Sequence, residues 1–385
     1  MKLHRAVNID DLRAMAKARL PRMVFDYIDG GAEDEVTLKH SVSRFDDYQL
    51  TWRTLRDVSK IDCSTTIMGQ KTRLPFFISP TASTRLFHPA QGELAMAGAA
   101  NAKKVIYACS TLASQTLEDI AKANPGPKWV QLYVWHDREI VKTFLKRAKA
   151  AGFTGCILTV DMPVAGNRER DPRNHFSIPP SPNLKVASQV LSRPRWLWDL
   201  VRTPRITPAN FTHLRGGNAG ETGGVIGFVN EQFSRSTTWD DVSWMRDAWD
   251  GGFAIKGISR GEDAKRAIEI GADAVWVSNH GGRQLDTAVP VIDLLPEIVE
   301  AVGGRADIIA DGGVRRGAHI AKLLMRGATG VALGRASLYG LGAGGQRGVE
   351  KALAILEDEF RRIMALLGAT SLEDLDPDLM RAPKA

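Results

Sequence analysis

Apolar residues come in short dense runs rather than in alternation. Phe76–Pro80, Val105–Ser110, Trp129–Tyr133, Gly155–Asp161, Gly252–Gly257, Ala274–Asn279, Asp307–Gly312 and Gly330–Arg335 are built around such runs. Near-continuous apolar runs suit parallel strands covered on both faces. Between most of them the spacing turns helical, as in Gln91–Ala102, Asp137–Ala151, Gly261–Gly271 and Arg316–Arg326. Eight strands alternating with helices predict an α/β chain folded as a (β/α)8 TIM barrel. One interval breaks the rhythm: residues 162–251, between the fourth and fifth strands. An insertion that leaves a strand at its C-terminal end lies on the catalytic side of a barrel.

Before the first strand, residues 1–70 read as a helical segment. Ile9–Leu20 is patterned as an amphipathic helix, and Val24–Ile28 as a second one stopped by Gly30 and Gly31. Residues 351–367 read as a final helix and 371–385 as a polar tail. A single domain over 1–385 is expected: the N-terminal helical segment, a barrel over 71–340 carrying the insertion 162–251, and a C-terminal helix and tail from 341.

Polar residues collect where such a barrel opens. The strands end in Pro80-Thr81-Ala82, Ser110, Gln131 with Tyr133, Thr159 with Asp161, Lys256, Ser278 to Arg283, Asp311 to Arg315, and Gly334-Arg335. A polar cap at one strand end is ordinary; all eight strands ending this way predict one shared active site. The last two ends, Asp311-Gly312-Gly313-Val314-Arg315 and Leu333-Gly334-Arg335, place glycine amides and an arginine at helix starts, a phosphate site of the kind barrels carry after strands seven and eight. Gly340 to Gly345 matches GxGxxG, yet it follows no strand directly and opens no βαβ unit, so it is not read as a dinucleotide site.

Composition removes several classes. The chain has 385 residues, is 44% hydrophobic and 25% charged, and carries a net charge of +7. That is an ordinary globular composition with a mild preference for anions. No dense basic arm or zinc-finger spacing is present, so nucleic-acid binding is not expected. Cys63, Cys109 and Cys156 are far apart and contain no CxxC, which points to a reducing compartment and to no cysteine-based metal site. No signal-peptide pattern opens the chain and no apolar run is long enough to span a bilayer, so a cytoplasmic protein is expected, with contact to a membrane surface left open.

The segment Val277-Ser-Asn-His-Gly-Gly-Arg-Gln-Leu-Asp286 strongly resembles the signature of the FMN-dependent 2-hydroxy acid oxidising family, to which glycolate oxidase, flavin-type lactate dehydrogenases and mandelate dehydrogenase belong. Further blocks resemble the family in family order: Tyr27 followed by Gly30 to Glu35, Pro80-Thr81-Ala82, Gln131 to Val134, Thr159-Val160-Asp161, Lys256-Gly257 and Asp311 to Arg315. The likeness covers about 10–370. Asn167 to Asp171 and Pro194-Arg195-Trp196 are most similar to the mandelate dehydrogenase and bacterial L-lactate dehydrogenase branch.

The resemblance implies roles. His280 would be the catalytic base, oriented by Asp161. Arg168 and Arg283 would grip the substrate carboxylate, with Tyr27 and Tyr133 adding phenol hydrogen bonds. Lys256 would stand at the N1/C2 edge of the flavin, where charge collects on reduction. Ser110, Gln131 and Thr159 would bond the ring, Pro80, Thr81 and Ala82 would supply backbone contacts, and Ser278 would help hold the cofactor. The FMN phosphate would lie against Gly312, Gly313, Arg315, Gly334 and Arg335, with Asp311 on the ribityl hydroxyls. No metal is implied. The implied reaction takes an L-(S)-2-hydroxy acid to its 2-keto acid, and the implied assembly is a homotetramer.

Substrate and acceptor are less marked. Leu112 and Ala165 are smaller than the residues of the glycolate-oxidising branch, so lactate, longer acids or mandelate would fit. The alternatives for the acceptor pull apart. Ala82 is the oxidase-like choice, implying O2 and H2O2. Against it, residues 183–215 hold Lys185, Arg193, Arg195, Arg202, Arg205 and Arg215 opposite only Asp199, with Trp196, Leu197, Trp198, Leu200 and Phe211 interleaved. A basic segment with tryptophan suits an anionic membrane surface, where a quinone or electron-transfer chain would take the electrons. A solvated lid is the plainer reading of that segment. A flavin-binding barrel without activity and a phosphate-sugar isomerase remain as distant alternatives on the same fold.

Overall fold

The apolar runs close on themselves. In a computed structural model, which describes residues 2–135, 137–176, 183–211 and 236–382, they form a closed parallel barrel: β1 Phe76–Ile78, β2 Tyr107–Cys109, β3 Lys128–Tyr133, β4 Gly155–Thr159, β5 Gly252–Ile258, β6 Ala274–Val277, β7 Asp307–Asp311 and β8 Gly330–Leu333. Each strand pairs with the next in sequence, and β8 returns to β1 with Val331 opposite Phe76. Side chains that face inward fill the lumen. Phe77 lies edge-on between Trp129 and Trp276, with centroids 5.1 and 5.5 Å away, and Ile157, Ile309 and Ala332 complete the layer.

The N-terminal mouth of the barrel is plugged by a hairpin that has no clear sequence signal, Thr65–Ile67 and Gln70–Thr72. Its Met68 amide donates to Asp307 (2.7 Å), and Ile67 occupies the space where a Cβ on Gly330 would fall 2.5 Å from Ile67 Cδ1. Only the opposite rim is left for a ligand. There most strands stop one or two residues short of the predicted ends, because the polar residues leave the ladder and turn over the rim.

The predicted N-terminal helices are found at Ile9–Arg19 and Arg22–Asp29, the second ending where the Gly30 amide bonds the Asp26 carbonyl. After β8 one helix starts at Arg335 and another runs to Leu367, the two meeting where Gly344 and Gly345 leave helical geometry. The GxGxxG match covers the end of the first and that junction. A Cβ on Gly340 would meet the Gly348 carbonyl at 2.5 Å, so a glycine there serves close helix packing.

The described parts of the insertion hold the helices Arg170–Arg173, Leu184–Leu191, Pro194–Val201 and Trp239–Asp247. They are fastened to the body of the protein. Trp196 Nε1 donates to the Leu86 carbonyl (2.8 Å), buried Arg85 donates to the Pro204 carbonyl (2.6 Å), and the Met23 amide bonds Gln189 (2.8 Å). Residues 212–215 of the basic segment, Arg215 among them, and 383–385 of the tail lie outside the described residues.

Candidate active site

The strand ends enclose a cavity of about 650 Å³. Pro80, Thr81 and Ala82 reach it after β1, Ser110 after β2, and Gln131 and Tyr133 from β3. Thr159 of β4 and Lys256 of β5 follow, then His280 and Arg283 after β6. Asp311, Gly312, Gly313 and Arg315 of β7 and its loop, with Gly334 and Arg335 after β8, complete the ring. Tyr27 and Arg168 close it from the N-terminal segment and the insertion, and Leu112 and Ala165 also line it.

Asp161 stands one layer back, with Oδ1 2.9 Å from His280 Nδ1. Its Oδ2 is buried without a hydrogen-bond partner, and the Lys256 ammonium is 3.9 Å from it. Burial alone would raise this carboxyl, but His280 and Lys256 hold it below its ordinary pKa. A carboxylate against Nδ1 fixes the proton on that nitrogen and leaves Nε2 as the basic one. The backbone at His280 is left-handed, with φ +54°, as it is at Gly281 and Gly282. A side chain in that region is strained and needs support. Part of the support is a bond from the His280 amide to Ser278 Oγ (3.1 Å).

Ser278 differs from its expected place, because it does not line the cavity. Its hydroxyl accepts from Lys256 Nζ (2.9 Å) and from the His280 amide, and it donates to Asp311 Oδ1 (2.7 Å). A hydroxyl has one proton and two lone pairs, so these bonds saturate it. Asp311 also accepts from Trp276 Nε1 (3.1 Å), and its Oδ2 lies 3.5 Å from Lys256. Gln131 is likewise occupied, donating to Thr159 Oγ1 (3.1 Å) and the Leu132 carbonyl (2.9 Å).

At one end of the cavity two guanidiniums face Tyr27. The central carbons of Arg283 and Arg168 lie 4.8 and 5.7 Å from its ring centroid, and Phe176 stacks on the same ring at 4.5 Å. Arg283 donates to the Tyr27 carbonyl (2.6 Å). Burial, then the nearby Arg168, pushes its pKa down. Asp171, 3.7 Å from Arg168, is the carboxyl in this part of the cavity, and burial pushes its pKa up. Asp171, Phe176, Met162 and Val164 line the cavity unforeseen. Asp171 has its sequence signal in the Asn167 to Asp171 block and its three-residue spacing from Arg168; the others, from an aperiodic insertion, have none.

At the other end Arg335 donates to the carbonyls of Ile28, Gly281 and Gly30 at 2.7–2.8 Å. No ion pair joins Arg335 or Arg315 to a carboxylate among the described residues. Burial, with Arg283 and Arg315 nearby, pushes Arg335 down to about 9. Gly334 has nothing within 4 Å of where a Cβ would be. Gly313, with φ +74°, is pressed so close to the Ser41 carbonyl that a Cβ would lie 1.9 Å from it. His319, whose pKa burial pushes down to about 3, takes the Arg315 amide on Nδ1 (3.3 Å). Two arginines without acid partners, beside the open Gly334 at a helix start, suit a phosphate. Lys256, Ser110 and Thr159 suit the polar edge of a heterocycle, so the donor set fits FMN.

Such a rim defines a (β/α)8 enzyme that holds a phosphate-tailed cofactor above the strand ends. Residues 16–382 match the FMN-dependent dehydrogenase family, and the chain belongs to it; its cofactor is FMN. A putative L-lactate dehydrogenase of Mycobacterium tuberculosis is 42% identical over 377 residues, 98% of this chain and 89% of that protein. An L-lactate oxidase of Nostoc sp. is 40% identical over 378 residues, 97% and 98% of the two chains. Among solved structures, a monotopic membrane protein, (S)-mandelate dehydrogenase, superposes with a TM-score of 0.94 at 37% identity, over 98% of this chain and 100% of that one.

Proposed function

We propose that the protein oxidises an L-(S)-2-hydroxy acid, lactate- or mandelate-like, to the 2-keto acid, and passes the electrons to a quinone or electron-transfer chain at a membrane surface. The observation that carries this reading is the pairing of His280 with Asp161 in the same cavity as Arg168 and Arg283. FMN, when bound, accepts the two electrons. It would be held at its phosphate by Gly312, Gly313, Arg315, Gly334 and Arg335 and at its ribityl hydroxyls by Asp311. Lys256, Ser110, Gln131, Thr159 and Pro80-Thr81-Ala82 would hold the ring, with Ser278 fixing Lys256 and Asp311 from behind.

The remaining work falls to the protein's own side chains. Arg168 and Arg283 fork onto the carboxylate; two guanidiniums beside the one carboxyl of Asp171 make a further carboxylate the fitting ligand. Tyr27 and Tyr133 present hydroxyls; burial, then Asp161, pushes Tyr133 up, so it stays a donor. His280 takes a proton from the substrate at Nε2, and Asp161 stabilises the imidazolium across the 2.9 Å contact. Leu112, Met162, Val164 and Ala165 leave an apolar wall for a side chain larger than that of glycolate.

Support for the membrane lies on the insertion helices. Leu184, Leu191, Trp198 and Val201 are 91, 67, 60 and 66% exposed, among Lys185, Arg193, Arg195 and Arg202. The contact we propose is peripheral, at the inner face of the cell membrane; no helix of the described residues is long and apolar enough to cross a bilayer. A second reading, an oxidase, is favoured by Ala82 on the cavity wall.

Anaerobic mixing with L-lactate, (S)-mandelate and glycolate, followed by air, tests the reading. Bleaching by lactate or mandelate with slow recovery in air is expected. Fast recovery would establish the oxidase, and no bleaching by any of the three would end the proposal.

A further inference from the structure

Both side chains that reach the substrate carboxylate from outside the barrel are joined by a residue that does not itself line the cavity. Arg170 sits two residues after Arg168 at the start of the helix Arg170–Arg173. Its Nη1 donates to Asp29 (3.1 Å) and lies 3.6 Å from Asp26, and its Nη2 donates to Glu35. Asp26 and Asp29 flank Tyr27 on one helix. Asn174, from the same turn as Arg170, donates to Asp26 (2.7 Å). The insertion and the N-terminal segment are thus cross-linked on both sides of Tyr27.

Two backbone observations point the same way. Gly30 lies under the Arg170 stem, where a Cβ would fall 3.0 Å from Arg170 Cδ and 2.8 Å from the Asp26 carbonyl. Glu33 and Glu35 are left-handed, with φ +46° and +61°, and that turn is braced by Glu35 taking the Gly31 amide (3.0 Å) and the Arg170 guanidinium. The same turn bonds both arginine-bearing loops: the Ala32 amide reaches the Gly282 carbonyl and the Glu33 amide the Asn167 carbonyl, each at 2.8 Å.

We infer that Arg170 is a positioning residue for the carboxylate site: by bridging Asp29 and Glu35 it sets Tyr27 and Arg168 face to face, and the site is complete only when the insertion is latched to the N-terminal segment. This rests on the proposed role of Arg168 and Tyr27 as carboxylate ligands. Charge-assisted bonds that are largely shielded from water are strong enough to hold such a register.

The test uses the full-length, FMN-loaded protein and oxalate, a carboxylate with no Cα–H to lose, titrated by its perturbation of the flavin spectrum. In Arg170→Gln the oxalate Kd and the substrate KM should rise about tenfold, the equivalent of one charge-assisted hydrogen bond, with kcat changed less than about threefold. Arg170→Lys, which keeps the charge but loses the two-armed fork, should recover part of the lost affinity. If Arg170→Gln does not fold, Glu35→Gln removes a single arm and should give about a threefold loss. A role confined to stability would lower the melting temperature and leave oxalate affinity unchanged, and that result would overturn the inference. Arg168→Gln separates the two levels. If it weakens oxalate while Arg170→Gln does not, the latch alone fails; if neither weakens it, the carboxylate site falls and the latch with it.

Discussion

The floor of the cavity and its outer wall are built differently. Gln131, Thr159, Lys256 and Asp311 stand on strands in ladder register, with Tyr133 opposite Thr159 and Thr159 opposite Lys256. Their spacing is set by backbone hydrogen bonds and by a packed lumen beneath. Tyr27, Arg168, Asp171 and Phe176 stand on segments that meet only through side chains and a few loop amides. A floor of this kind fixes distances, as proton transfer requires. A wall of this kind can change its lining without disturbing the barrel, as substrate choice requires.

The sharpest test of that division is His280→Asn, in the turn that leaves β6 and is tied to the floor through Ser278. It should lower kcat by about a thousandfold, as loss of a general base does, while flavin content stays intact. A drop confined to KM would move His280 to the wall's side of the comparison. Next comes the wall. Leu112→Trp should cost (S)-mandelate about a hundredfold in kcat/KM relative to glycolate, because a large side chain then meets an indole. Equal losses on both acids would show that Leu112 does not bound the side-chain pocket.

Ser278→Ala probes the layer under the floor. With its saturated hydroxyl gone, Lys256, Asp311 and the His280 amide each lose a partner, and kcat should fall about tenfold with a displaced pH profile. An unchanged pH profile would reduce Ser278 to packing.

The smallest effect is on stability, and it touches both regions. His319 supports the floor's glycine loop, while buried His88 packs beside Arg19 (3.1 Å) near the insertion's Asp199. Burial pushes His319 down to about 3 and His88 down to about 4, from an ordinary 6.5. Between those values the unfolded chain binds protons that the folded chain refuses. Stability is therefore full above pH 6.5 and falls as the pH drops, by about 1.4 kcal/mol per pH unit for each histidine at most. Urea midpoints from pH 8 to 5 should decline more gently in His88→Gln, and identical slopes would exclude it.

The floor was legible in the sequence because a strand's end is marked by the change from apolar to polar, and the barrel puts all eight ends at one place. His280, Lys256, Gln131 and Asp311 could be placed from that alone. Arg168 and Tyr27 rested on motif likeness, since nothing in local pattern says that residue 27 meets residue 168. Asp171 and Phe176 were missed for the same reason. The role of Ser278 rested on the family likeness, and no sequence pattern shows a hydroxyl saturated by three partners. The hairpin at 65–72 is hidden by its short length, and the helix that starts at Arg335 by its glycines, of which Gly344 and Gly345 do break helical geometry.

The bond from Trp196 to the rim at Leu86, with Arg85 on Pro204, has a mechanical meaning. A helix pair slung from a loose tether would wander relative to the mouth it serves. This pair is bolted to the first strand's own loop, so any surface its tryptophan and leucines settle on stands at one fixed height above the barrel. On the proposed route to an acceptor at a membrane, the span an electron would cross is then a dimension of the fold.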